Sequence, residues 1–140
     1  MSSRKNMLLL VVGGLLMIGG CAEIRKLTYP REITYIGQSE LESAMQRMAV
    51  AMQRLDTLVG SGSIDDTGHR QVLGQLDAID QIASELSGGT TPTNHLVLDE
   101  HIEEFIADVA KARLMAQASP PNYYYAGRLS GSCSGCHQFR

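Results

Sequence analysis

The last eight residues of the 140-residue chain read Cys133-Ser134-Gly135-Cys136-His137-Gln138-Phe139-Arg140. Two thiols and an imidazole in the spacing C-x-x-C-H form the attachment signature for c-type haem. On a helix, Cys133 lies three positions from Cys136 and four from His137, so all three side chains reach one face. Two thioether bonds then hold a porphyrin, with His137 as the proximal ligand of its iron. Other chemistries of the same dithiol need other surroundings. A thioredoxin-like redox site expects a βαβ context, which the pattern of the chain lacks. A zinc site needs four ligands, and His69, His95 and His101 offer no spacing that pairs with the motif. The plain alternative is a Cys133–Cys136 disulfide beside a solvated His137. One covalent haem c is the expectation. No carboxylate pair, Ser/His/Asp set or Gly-rich phosphate loop points to an enzyme.

The third cysteine belongs to a different chemistry. Arg4 and Lys5 precede an apolar run from Met7 to Gly20, and Cys21 follows it. The 14 residues of that run fall short of the roughly 20 that span a bilayer, and match the apolar core of a signal peptide. Ile18-Gly19-Gly20-Cys21 resembles the lipobox of bacterial lipoproteins, in which small residues precede a cysteine that is acylated and becomes the first residue. Ile18 stands where that box usually has Leu. The competing reading is an uncleaved signal anchor with a buried Cys21. Each buried CH₂ of an acyl chain contributes about 0.8 kcal/mol of membrane affinity, so several chains together hold permanently. The expected organisation is a signal peptide at 1–20, a lipidated N-terminus and tether at 21–37, and a domain at 38–140. That places the domain on the periplasmic side of the cell envelope, anchored to the outer membrane rather than the inner.

Composition fits one domain of modest size. The chain is long enough for one core and too short for two. Twelve Lys and Arg against fifteen Asp and Glu give a net charge of −3, and loss of Arg4 and Lys5 takes it to −5. Nucleic-acid binding needs a basic patch or stripe, and none is present. Hydrophobic residues at 44% and charged residues at 19% favour folding over disorder. Two Phe, five Tyr and no Trp disfavour a sheet built on aromatic pairs.

The segments that hold the motif in place are helical. Residues 22–37 show no helical period and contain Pro30, so they read as a tether that runs extended along the domain. From Gln38, Leu41, Met45, Met48, Met52, Leu55 and Val59 recur at alternating spacings of four and three, one apolar face of a helix. Ser39 with Glu42 reads as its capping box, and Gly60-Ser61-Gly62-Ser63 as its end. Asp65 or Asp66 caps a second helix striped by Val72, Leu76, Ile79, Ala83 and Leu86 and closed by Gly88-Gly89. Asn94 caps a third, with Leu98, Ile102, Phe105 and Val109 inward, running to about Gln117. Pro120-Pro121 break the chain, and a fourth segment runs from Asn122 to Arg140 with Tyr125, Leu129, Cys133 and Cys136 on one face. Gly127, Gly131 and Gly135 weaken it by about 1 kcal/mol each relative to Ala. A bulky group pressed against its backbone would explain them. Short loops between amphipathic helices give an all-α, up-down-up-down four-helix bundle.

A bundle with C-x-x-C-H in its last helix, followed by an aromatic residue and Arg, resembles the class II c-type cytochromes, the cytochrome c′ group. Cys133, Cys136, His137, Phe139 and Arg140 carry the resemblance, which covers about residues 38–140. It implies a haem held between helices near one end of the bundle, and Arg140 near a haem propionate. It also implies redox partner proteins and a homodimer through the first two helices. Low-spin members place a Met of the first helix on the iron and carry electrons; high-spin members leave that position open and bind small gases such as NO or CO. Met45 lies seven residues after Gln38, about 10 Å along the axis at 1.5 Å per residue, level with a group held near the end of the chain. Met48 and Met52 lie deeper and His101 lies at a similar level, while His69 falls at the far end. The Leu41-Glu42-x-x-Met45 stretch also resembles the ligand-bearing start of soluble four-helix cytochromes with Met/His ligation. Met is equally a common core filler. His69 and His95 read as exposed polar residues, and Tyr123, Tyr124 and Tyr125 as cover for the far end. The reading is a membrane-anchored, mono-haem electron carrier with Met45 as distal ligand. Its alternatives are a gas-binding haem protein with an open iron and a haem-free structural lipoprotein.

Overall fold

Apolar residues recurring every three to four positions become three long helices in the computed structural model, which describes residues 33–137. These are α1 (Gln38–Gly60), α2 (Asp66–Leu86) and α3 (Leu96–Ala116). A 3₁₀ turn, Ala126–Arg128, leads into a short α4, Leu129–His137. Among the described residues no strand forms, only an isolated bridge between Thr34 and Thr93.

The apolar stripes meet along one core. Met48, Met52 and Leu55 of α1, all five stripe residues of α2, and Leu98, Ile102 and Val109 of α3 are buried together. Leu41, Met45, Val59 and Phe105 are half-buried at the margins of that core. Ala44, Ala51, Ala112 and Ala116 are buried in the same core. Leu55, Val72, Leu76, Ile79 and Val109 have no exposed surface, each contributing about 1.5–3 kcal/mol of burial. Outside the core, Arg47 pairs with Glu85 at 2.8 Å and Arg113 with Asp77 at 3.0 Å. Exposed pairs of this kind add roughly 0–1 kcal/mol.

Capping follows chemistry that spacing alone misplaces. Asp65 caps α2 as expected, accepting from the Gly68 N–H at 2.7 Å. At α1 the cap is Gly37 rather than Ser39, and Glu40 rather than Glu42 reaches back to the Gly37 N–H at 3.4 Å. Asn94 does not cap α3; His95 holds that position. The Asn94 amide instead accepts from the Ile36 N–H at 2.7 Å and donates to the Ile36 carbonyl at 3.1 Å. A side chain with both a donor and an acceptor matches a backbone residue on both sides, and that pairing wins over the cap.

The fourth helix starts later than its pattern predicts. Asn122 does not open a helix: its side chain accepts from the Tyr124 N–H at 3.0 Å while its own N–H donates to the Met115 carbonyl at 2.9 Å. This local turn competes with helix, and the chain reaches α geometry only at Leu129. The three glycines differ in what they meet within the protein. A Cβ at Gly131 or Gly135 would meet nothing within 4 Å, whereas one at Gly127 would sit 3.2 Å from Val59 Cγ1 of α1. Of the three, Gly127 alone marks a close approach between helices of the protein itself.

Candidate functional site

The ends of all four helices converge on one cleft. Met45 and Met48 from the first half of α1, Leu86 from the end of α2, and Leu98, Ile102 and Phe105 from α3 form its walls. Ser132, Cys133, Cys136 and His137 of α4 close it. The start of α1, the end of α2, the start of α3 and the end of α4 therefore share one end of the molecule, so successive helices alternate in direction. The helical spacing of Cys133, Cys136 and His137 presents all three to this single space.

The cleft is apolar apart from its α4 wall, and it is narrow. It encloses about 60 Å³, room for about two water molecules. Met48 is 7% exposed, whereas Met45 is half-buried. Cys133 and Cys136 are half-buried free thiols, and His137 is exposed at the edge. Burial pushes the Cys133 thiol above its usual range, and the negative charge of Asp56 adds to the shift. Burial, then the neighbouring Cys133, raises Cys136 as well. Both stay protonated at neutral pH. Reactive dithiols of the thioredoxin kind need the opposite shift, from nearby positive charge or a helix N-terminus. Among the described residues no group of three or more His, Cys, Asp or Glu is placed to hold a metal ion.

The remaining candidates separate by position. Met52 is buried in the core and does not line the cleft, and His101 does not line it although its neighbour Ile102 does. His69 is at the far end, but it is half-buried rather than exposed: its Nδ1 is 2.8 Å from the Tyr123 hydroxyl. Burial, with the nearby Asp66 carboxylate, raises the Tyr123 phenol above its usual range. His95 is also half-buried, with Nε2 at 3.0 Å from the Ile36 carbonyl. Both histidines serve packing contacts between segments far apart in sequence, which no local pattern announces. Tyr123 and Tyr125 pack on the core near the far end, while Tyr124 is 59% exposed. Cys21, Phe139 and Arg140 lie outside the described residues, as does the signal-like segment.

Comparison with protein-family models, with curated proteins and with solved structures finds no match.

Proposed function

We propose that the protein is a lipid-anchored, mono-haem c-type cytochrome that carries single electrons at the periplasmic face of a bacterial membrane. One observation carries this reading: the two thiols and the imidazole of C-x-x-C-H share an apolar cleft with the thioethers of Met45 and Met48. The donor set suits the group. Two thiols accept covalent attachment, an imidazole supplies the proximal ligand, and a thioether is a soft neutral donor for the other side. Bound there, a haem supplies one-electron exchange, and the apolar walls of Leu86, Leu98, Ile102 and Phe105 exclude water from it. Raised thiol pKa values disfavour dithiol redox chemistry of the thioredoxin kind.

Ligand pockets usually measure about 300–1,000 Å³, so seating a macrocycle requires the walls to part. The composition of α4 supports such a movement. It has nine residues, only Leu129 of them buried, and two glycines facing open space. Met45, at the margin of the core, is freer to adjust than Met48, which favours it as distal ligand. Arg140 is proposed to meet a propionate as a charge-assisted contact.

The test is the intact mass of denatured, reduced protein from cells that mature c-type cytochromes, together with its ferric absorption spectrum. One added haem, no free Cys133 or Cys136 thiol, and a low-spin spectrum are expected. Two free thiols at the unmodified mass would leave a haem-free lipoprotein, and a high-spin spectrum would favour the gas-binding alternative.

A further inference from the structure

The chain enters the described domain at the cleft end and is fastened there. The Thr34 N–H donates to the Pro92 carbonyl at 2.8 Å, and Asn94 bonds Ile36 through both its N–H and its carbonyl. Ile36 itself is 4% exposed. Immediately beyond this clamp, α3 opens with Leu96 and Val97, 79% and 37% exposed. A lone exposed Leu is ordinary. This pair, however, sits beside the point where the chain leaves toward Cys21.

We propose that the cleft end of the domain faces the lipid bilayer, with Leu96 and Val97 touching its surface. The inference rests on acylation of Cys21, as proposed above. Ile33 follows Cys21 by twelve positions, a contour of about 40 Å at most. The 23 residues of α1 make the bundle about 35 Å long. Bringing the far-end loop around Gly62 to the membrane would lift the clamp by that length and consume almost the whole contour. Resting on the cleft end consumes little of it. The far end exposes Leu114 and Tyr124, at 67% and 59%, so the clamp and the short tether, rather than exposed apolar surface, decide the orientation.

The charges around this end set the depth of the contact. Glu40, Glu42, Glu100 and Glu103 are exposed there, so the contact is shallow, and Arg25, Lys26 and Arg31 of the tether partly offset these charges at the headgroups.

The full acylated protein, carried in phosphatidylcholine vesicles with a photo-crosslinking p-benzoylphenylalanine at Leu96 or at the exposed far-end Ser63, tests the orientation. After irradiation, mass analysis should show lipid adducts several-fold more abundant for position 96 than for position 63. Equal yields, or more at position 63, would overturn the orientation while leaving the anchor standing. Failure to sediment with vesicles, with no acyl mass on Cys21, would overturn the anchor and the orientation together.

Discussion

Met45 and Met48 line the same cleft and differ in how the core holds them. Met48, 7% exposed, is a core residue. Met48→Ala is expected to cost about 2–5 kcal/mol, read as a lower denaturant midpoint, with the ferric spectrum unchanged. Met45→Ala removes a half-buried thioether at the margin. It should leave a high-spin ferric spectrum, ready binding of carbon monoxide when reduced, and a lower potential, since Met/His ligation raises it. A low-spin spectrum that survives Met45→Ala and disappears in Met48→Ala would assign the ligand to Met48. The thiols make a second prediction for chain produced without haem. Burial raises both above the unfolded range, so above about pH 8.5 the unfolded thiols lose protons that the folded ones keep. The folded state then binds more protons, and stability present below that pH falls as pH rises. Urea midpoints across that range should show the decline, and Cys133→Ser with Cys136→Ser should remove it.

At the scale of elements, α4 is the shortest of the four helices and holds Cys133, Cys136 and His137. Its glycines and that of the turn before it separate into two kinds. Gly131→Ala and Gly135→Ala meet open space, so each should stabilise by up to about 1 kcal/mol in thermal unfolding. Gly127→Ala should do the reverse, because its Cβ would crowd Val59 Cγ1 at 3.2 Å. A loss of stability for Gly131→Ala in the haem-bearing protein alone would place a bulky group against that face. Gly88 in the α2–α3 loop is the strictest case. A Cβ there would collide with the Thr91 carbonyl oxygen, and that loop holds the residues that clamp Ile36.

At the scale of the whole molecule, the alternation of four helices brings the start of the domain and the end of the described chain to one end. Anchor and electron site then lie close together on the proposed reading. Cys21→Ser should release the protein from the membrane fraction or leave its precursor unprocessed, read by fractionation and N-terminal mass. Normal processing with unchanged membrane retention would count against acylation. Among the described residues no helix is long and apolar enough to cross a membrane.

Helical class, the three long helices to within a residue or two, and most of their inward faces are legible in the residue order alone. A three-four period forces burial of one face whatever the partner. That Cys133, Cys136 and His137 share a face is legible too, because helical spacing is enough for it. The remainder needed the folded chain. Asn94 and His95 bind Ile36 nearly sixty residues away, and His69 bonds Tyr123 across the far end; such pairs carry no local signal. The start of α4 was set by a turn at Asn122 competing with helix, a balance that residue spacing does not register. The walls of the cleft came from three other helices. Rise along α1 already set Met45 apart from Met52; that Met48 joins Met45 in the cleft and His101 does not was decided only by the packed bundle.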